Sequence, residues 1–245
     1  LIVLVVLEPL QIQVERIERL AEMLRQPGGQ FIPIEEIAFR SPLGVDATGH
    51  YFTCDDGSPF FYLADTVWML FCRLTEDEAR ELFAARASKG FTVIQAVVFR
   101  DLFEPNTPNL DGIRPFASDQ EMQAVRLDPA WIEWVVHITR IASEYGLVMG
   151  ILPTWGDKWH NRQNRPGPRI FDTENAESYA RFVGERFRDR AVIFILGGDR
   201  NPETDEDYAI VRGLLEEQLQ AVDDAFAERH RILSAPLGLC YVRVS

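Results

Sequence analysis

The stretch with most chemical promise is Gly197-Gly198-Asp199-Arg200-Asn201, directly after the apolar run Val192-Ile193-Phe194-Ile195-Leu196. Five consecutive apolar residues, mostly β-branched or aromatic, read as a strand buried on both faces. Two glycines let the backbone turn tightly or let a ligand come close. A carboxylate at the end of a buried parallel strand stands where α/β enzymes place their chemistry. A strand end followed by an ordinary polar turn would use the same residues. Burial beside a dry strand disfavours the anion, which would let Asp199 hold a proton as a general acid. Arg200 opposes that effect if its side chain turns inward.

Other predicted strands also end in polar or aromatic groups. One delivers Asp65-Thr66 and then Trp68; the next delivers Gln95, then Asp101 and Glu104. A third delivers Pro153-Thr154-Trp155-Gly156-Asp157-Lys158-Trp159-His160. Flat indole faces suit the C–H faces of sugar rings, while carboxylates and amides such as Asp157 and Asn201 suit hydroxyls. Trp155 and Trp159 either stack on a ligand or cover the rim as packing. Asp65 either holds a sugar or caps the turn after its strand. Trp131 and Trp134 sit within a helical stretch and read as core. Glycoside hydrolysis needs two carboxyl groups across the scissile bond, and Asp199 supplies one candidate.

The elements that must position these groups alternate from residue 60 onward. Strands are expected over 60–64, 91–99, 147–152 and 192–196, with a further one starting at 232–235. Helices are expected over 75–88, 129–145, 174–188 and 205–227. Thr75-Glu76-Asp77-Glu78 is a capping box, Asp128-Pro129 pairs an N-cap with proline at the first helical position, and Thr204 can cap the last helix. Gly90 and Gly146 stand where helices end. This repeat predicts a parallel sheet. Helix-to-strand connections are tiny, whereas strand-to-helix connections run over 100–128, 153–173 and 197–204. Long irregular loops concentrated on one face mark that face as functional. Before this unit, Asp56-Gly57 marks a small antiparallel hairpin within 43–62. Residues 1–30 read as an apolar segment and an amphipathic helix ended by Pro27-Gly28-Gly29.

Composition narrows the partners. The net charge is −13 over 245 residues, which disfavours nucleic acid and anionic membranes. No stretch is long enough to span a bilayer as a helix. The three cysteines are far apart, and the apolar opening lacks the other parts of a signal peptide. Both features lean towards a reducing, cytoplasmic setting, although the chain does not begin with methionine and secretion stays open. The GxGxxG, Walker and GxSxG patterns are absent, and no cofactor is called for. The four scattered histidines argue against a metal-dependent α/β hydrolase and against a metal site.

With these residues in view, the chain resembles the apiosidase-like glycoside hydrolases, a (β/α)8-barrel family. The resemblance rests on Gly49-His50-Tyr51-Phe52 with Asp56-Gly57-Ser58-Pro59-Phe60-Phe61, Leu63-Ala64-Asp65-Thr66-Val67-Trp68, and Gly90-Phe91-Thr92-Val93-Ile94-Gln95. It continues through Leu152-Pro153-Thr154-Trp155-Gly156 and Ile195-Leu196-Gly197-Gly198-Asp199. It implies a TIM-type α/β barrel that hydrolyses glycosidic bonds in plant-type polysaccharide, apiose-containing pectin being the named case. It also implies that Asp199 is the acid/base group after the fourth strand. Asp65, Trp68, Gln95, Trp155, Asp157, Trp159 and Asn201 are then the candidate sugar contacts. The family's partner carboxylate sits near a seventh strand, beyond the roughly five β-α units counted here, so the barrel is expected to be truncated. Glu104 and Asp172 are poor substitutes. Residues 1–40 are expected to form an N-terminal extension and 41–245 a partial barrel. The alternative is a carbohydrate-binding remnant without turnover. In either case an open barrel edge invites self-association.

Overall fold

In the computed structural model, which describes residues 44–46, 48, 50–54, 57–99, 104–160, 168–187, 190, 192–197 and 202–229, the apolar runs form one parallel sheet. A hairpin precedes it, made by β1 (Gly44–Val45) and β2 (Phe52–Thr53), which pair antiparallel. The sheet follows with β3 (Ala64–Thr66), β4 (Val93–Val97), β5 (Val148–Leu152) and β6 (Val192–Phe194), side by side in chain order. Between and after the strands run α1 (Leu70–Arg73), α2 (Glu76–Ala87), α3 (Asp119–Gln123), α4 (Pro129–Glu144), α5 (Thr173–Phe187) and α6 (Asp205–Arg229). A short 3-10 turn spans Gly156–Lys158.

The sheet is buried on both faces, as continuous apolar strands require. Ile94, Ala96, Met149, Ile151 and Phe194 pack with the helices in the main core. Val93 and Ile193 face the other way and meet Phe52 of the hairpin, with Phe60, Tyr62, Ala64, Val148 and Ile195 around them. On α4, residues three and four apart (Trp131, Ile132, Val135, Ile138, Ile141, Ala142) are all buried. Each large apolar side chain so buried contributes about 1.5–3 kcal/mol. Trp131 is also satisfied as a donor, since its indole N–H reaches the Val98 carbonyl at 2.8 Å.

Local signals account for the helix ends. Thr75 and Glu78 complete a reciprocal capping box on α2, and Asp128 accepts from the Ala130 amide at 2.8 Å ahead of Pro129. Gly90 and Gly146 end α2 and α4 with φ of +80° and +72°, a conformation that side chains resist.

One expectation shifts. The first strand is Ala64–Thr66 rather than 60–64, because the Phe60 amide bonds to the Phe52 carbonyl and so belongs to the hairpin side. The short helices α1 and α3 have too few residues for their periodicity to be read. The expected strand at 232–235 and the N-terminal helix lie outside the described residues. The architecture is parallel α/β as expected, with no barrel closure among the described residues. Among those residues no helix is long and apolar enough to cross a membrane.

Candidate active site

The C-terminal ends of the strands bring two tryptophans together. The ladder continues past β3, with the Val97 amide bonding to the Trp68 carbonyl at 3.2 Å. This brings the Trp68 backbone level with the end of β4. Across the sheet, Trp155 forms a bridge with Gly197, and the Gly156 amide bonds to the Gly197 carbonyl at 3.1 Å. The Trp68 and Trp155 rings meet edge to face, with centroids 5.3 Å apart and planes at 68°. Both are only partly buried. The turn carrying Trp155 is held from behind by Tyr179 of α5. Its hydroxyl donates to the Pro153 carbonyl at 2.6 Å, and burial pushes that phenol well above the ordinary tyrosine value.

Several residues read as sugar contacts have structural partners. Asp65 alternates away from the inner face of β3 and pairs with Arg86 of α2. Asp157 is buried and bonds to the fully buried Lys158 at 2.6 Å. Their adjacency within the 3-10 turn neutralises two charges that burial would otherwise make very costly. Trp159 is 1% exposed, and its ring occupies the space where a side chain on Gly197 would stand. It packs under the strand end, and among the described residues its indole N–H has no hydrogen-bond partner. Gln95 lies on the inner face and donates to the Tyr62 hydroxyl at 2.7 Å. Burial raises the Tyr62 pKa, and the Gln95 bond offsets only part of that. Asp172 caps α5, accepting from the amides of Glu174 and Asn175. Glu104 lies on the exposed loop after β4 and shares a local turn with Thr107. Asp199, Asn201 and Asp101 lie outside the described residues.

A polar cluster that the sequence did not single out stands beside this mouth. His160 Nδ1 is 2.7 Å from Asp207 Oδ2, and Nε2 is 3.2 Å from Glu203 Oε2. Asp207 also accepts from the Glu203 and Thr204 amides at 3.0 Å, while Thr204 Oγ1 accepts from the Asp207 amide at 3.1 Å. Burial pushes the Asp207 carboxyl up, but these hydrogen bonds outweigh it and hold the pKa below the ordinary aspartate value. A cavity of about 450 Å³ opens here, walled by Trp159, His160, Arg169 and the first turn of α6. Thr204, read from the sequence as the cap of the last helix, forms a reciprocal capping box with Asp207. The approach of His160, 47 positions away in sequence, had no local signal.

Solved structures of similar fold include glycoside hydrolases. One, a glycoside hydrolase, superposes with a TM-score of 0.61 at 23% identity, covering 80% of this chain and 41% of its own length. A glycoside hydrolase family 5 protein from Bacteroides vulgatus ATCC 8482 gives 0.59 at 20% identity, covering 80% and 39%. At such identities the likeness establishes the fold. This chain spans about two fifths of the length of these structures. The profile of the apiosidase-like catalytic domain matches residues 46–235, and the chain belongs to that family. A search among curated proteins finds no match.

Proposed function

We propose that this chain binds plant-type polysaccharide and takes part in hydrolysing its glycosidic bonds, apiose-containing pectin being the first substrate to test. The observation that carries the reading is the meeting of Trp68, Trp155 and Gly197 at the C-terminal ends of the sheet. Asp199 follows Gly197 by two positions in sequence. In this proposal the two indoles stack on a sugar ring, and Asp199 protonates the leaving glycosidic oxygen as the bond to the anomeric carbon breaks; water adds to that carbon and its released proton restores the acid. Asn201 is assigned a hydroxyl contact. Hydrolysis of apiose-bearing pectic oligosaccharides by the wild-type chain and by Asp199→Asn tests the assignment. A loss of about a hundredfold or more is expected of a general acid. Equal rates would remove Asp199 from the mechanism.

One observation favours the second reading, binding without turnover. Asp65, Asp157, Asp172 and Asp207 are each engaged in a pair or a cap. None of these four stands ready as a second catalytic carboxylate. Tryptophan fluorescence titrated with the same oligosaccharides, alongside the activity assay, separates the readings: quenching with no product supports binding alone. Self-association through the sheet edges is a further part of the proposal.

A further inference from the structure

We propose that Thr66 binds substrate, its hydroxyl and the Gln95 amide forming one pair that recognises sugar hydroxyls, with Tyr62 as the positioning residue that fixes Gln95. The proposal rests on the polysaccharide reading above. It starts from the inner face of the sheet, where the strand register sets Thr66 beside Gln95 and Gln95 beside Gly150. Side chains alternate along β3. Asp65 turns out to Arg86, so Thr66 shares the inner side with Ala64. The apolar neighbours on that side are Val93, Val148, Ile193 and Ile195. Thr66 is exposed there, and among the described residues its hydroxyl has no hydrogen-bond partner. An apolar wall carrying a few placed polar groups is the composition of a small-molecule site.

The neighbours of Gln95 set its direction. Its stem leans across Gly150, where an added Cβ would stand 3.1 Å from Gln95 Cγ and 3.0 Å from Ile195 Cδ1. Its amide donates to the Tyr62 hydroxyl at 2.7 Å. The Tyr62 ring stacks in turn on Phe52 of the hairpin, with centroids 5.7 Å apart and planes at 19°. The hairpin therefore fixes the phenol, and the phenol fixes the amide. With an N–H committed to Tyr62, Gln95 keeps its carbonyl oxygen as an acceptor, while the Thr66 hydroxyl can donate or accept. Neighbouring strands lie about 4.8 Å apart, so the two groups suit two hydroxyls of one sugar ring. Neither carries a charge, which suits hydroxyls and not a carboxylate. Trp68 follows Thr66 by two positions, about 7 Å along an extended chain, so a ring stacked on its indole lies next to this pair.

Calorimetric titration of the full chain with apiose-bearing pectic oligosaccharides tests the pair. Thr66→Val keeps the shape and removes the hydroxyl; it is expected to weaken binding about three- to tenfold, the scale of one hydrogen bond. Thr66→Ser is expected to bind as the wild type does. The urea midpoint of Thr66→Val is expected to stay in place because the side chain is exposed, and Thr66→Ala serves as the second variant if the valine chain misfolds. Gln95→Leu is expected to lose a similar factor. Tyr62→Phe is expected to weaken binding in the wild-type background and to add nothing in the Gln95→Leu background, whereas a general loosening of the sheet would weaken both. Wild-type affinity in Thr66→Val or Gln95→Leu overturns the pair, and equal losses from Tyr62→Phe in both backgrounds overturn the positioning role. In each of those cases binding by the wild-type chain leaves the polysaccharide reading standing. A wild-type chain that binds none of the oligosaccharides overturns that reading and this proposal with it.

Discussion

Only a hydrogen fits on the outer side of Gly197. Its φ of +72° lies in the region that L side chains resist, and a Cβ placed there would overlap Cη2 and Cζ2 of the Trp159 ring. The buried indole cannot swing clear, because it is 1% exposed and packed in the main core. Gly197→Ala is therefore expected to cost about 2–5 kcal/mol, the sum of a left-handed alanine and an overfilled core. Urea unfolding followed by tryptophan fluorescence measures it. A loss below about 0.5 kcal/mol, as for ordinary surface changes, would mean that the ring and strand end are not in this contact. Of the two readings the sequence left open for this glycine, a tight turn or room for a ligand, the positive φ fits the turn, and the room on this side is taken by a tryptophan.

At the scale of elements, the Thr204–Asp207 cap ties the start of α6 to the turn after β5, and its carboxylate sets a pH dependence. Asp207 has a folded pKa below its ordinary value, so the native state favours the ionised form. The stability it contributes is fully present above the unfolded value of about 3.9. It is lost as pH falls through that value towards the lower folded one. Urea unfolding of the wild-type chain and Asp207→Asn across this range is expected to show a gap that narrows as the pH drops. A gap constant with pH would contradict the charged cap. The cap spacing was legible in the sequence, as were the α2 and α4 caps and the buried strands, because each depends on neighbours three or four positions away or on an unbroken apolar run. The direction of Asp65 was not legible. Arg86 lies a full helix further along the chain, and its pairing decides that the carboxylate faces α2 rather than the mouth. The burial of Trp159 and Asp157 was not legible for a related reason: an indole and a carboxylate near a strand end look alike in sequence whether they face a ligand or a buried partner. Trp68 and Trp155 stayed at the mouth because their strand ends place both backbones there.

At the scale of the whole molecule, the described sheet has two edges. β3 pairs only with β4, and β6 only with β5, among the described residues, and in the proposed self-association their other sides take up another strand. Unpaired backbone donors and acceptors of this kind are templates for a second chain. Charge acts against that encounter, since each copy carries −13 and like-charged molecules repel. The two effects differ in their response to salt. Repulsion between surfaces is screened over about 10 Å at 0.1 M ionic strength and about 3 Å at 1 M, whereas strand pairing depends on short-range hydrogen bonds and apolar contact. Sedimentation velocity is therefore expected to show mainly monomer in dilute low-salt buffer and a growing dimer fraction as salt and protein concentration rise. The reverse trend, dissociation on adding salt, would point to contacts between charged groups and away from the sheet edges. A single monomeric boundary across the full range would remove self-association from the account. The sugar-binding assays above would then be read as those of an isolated chain.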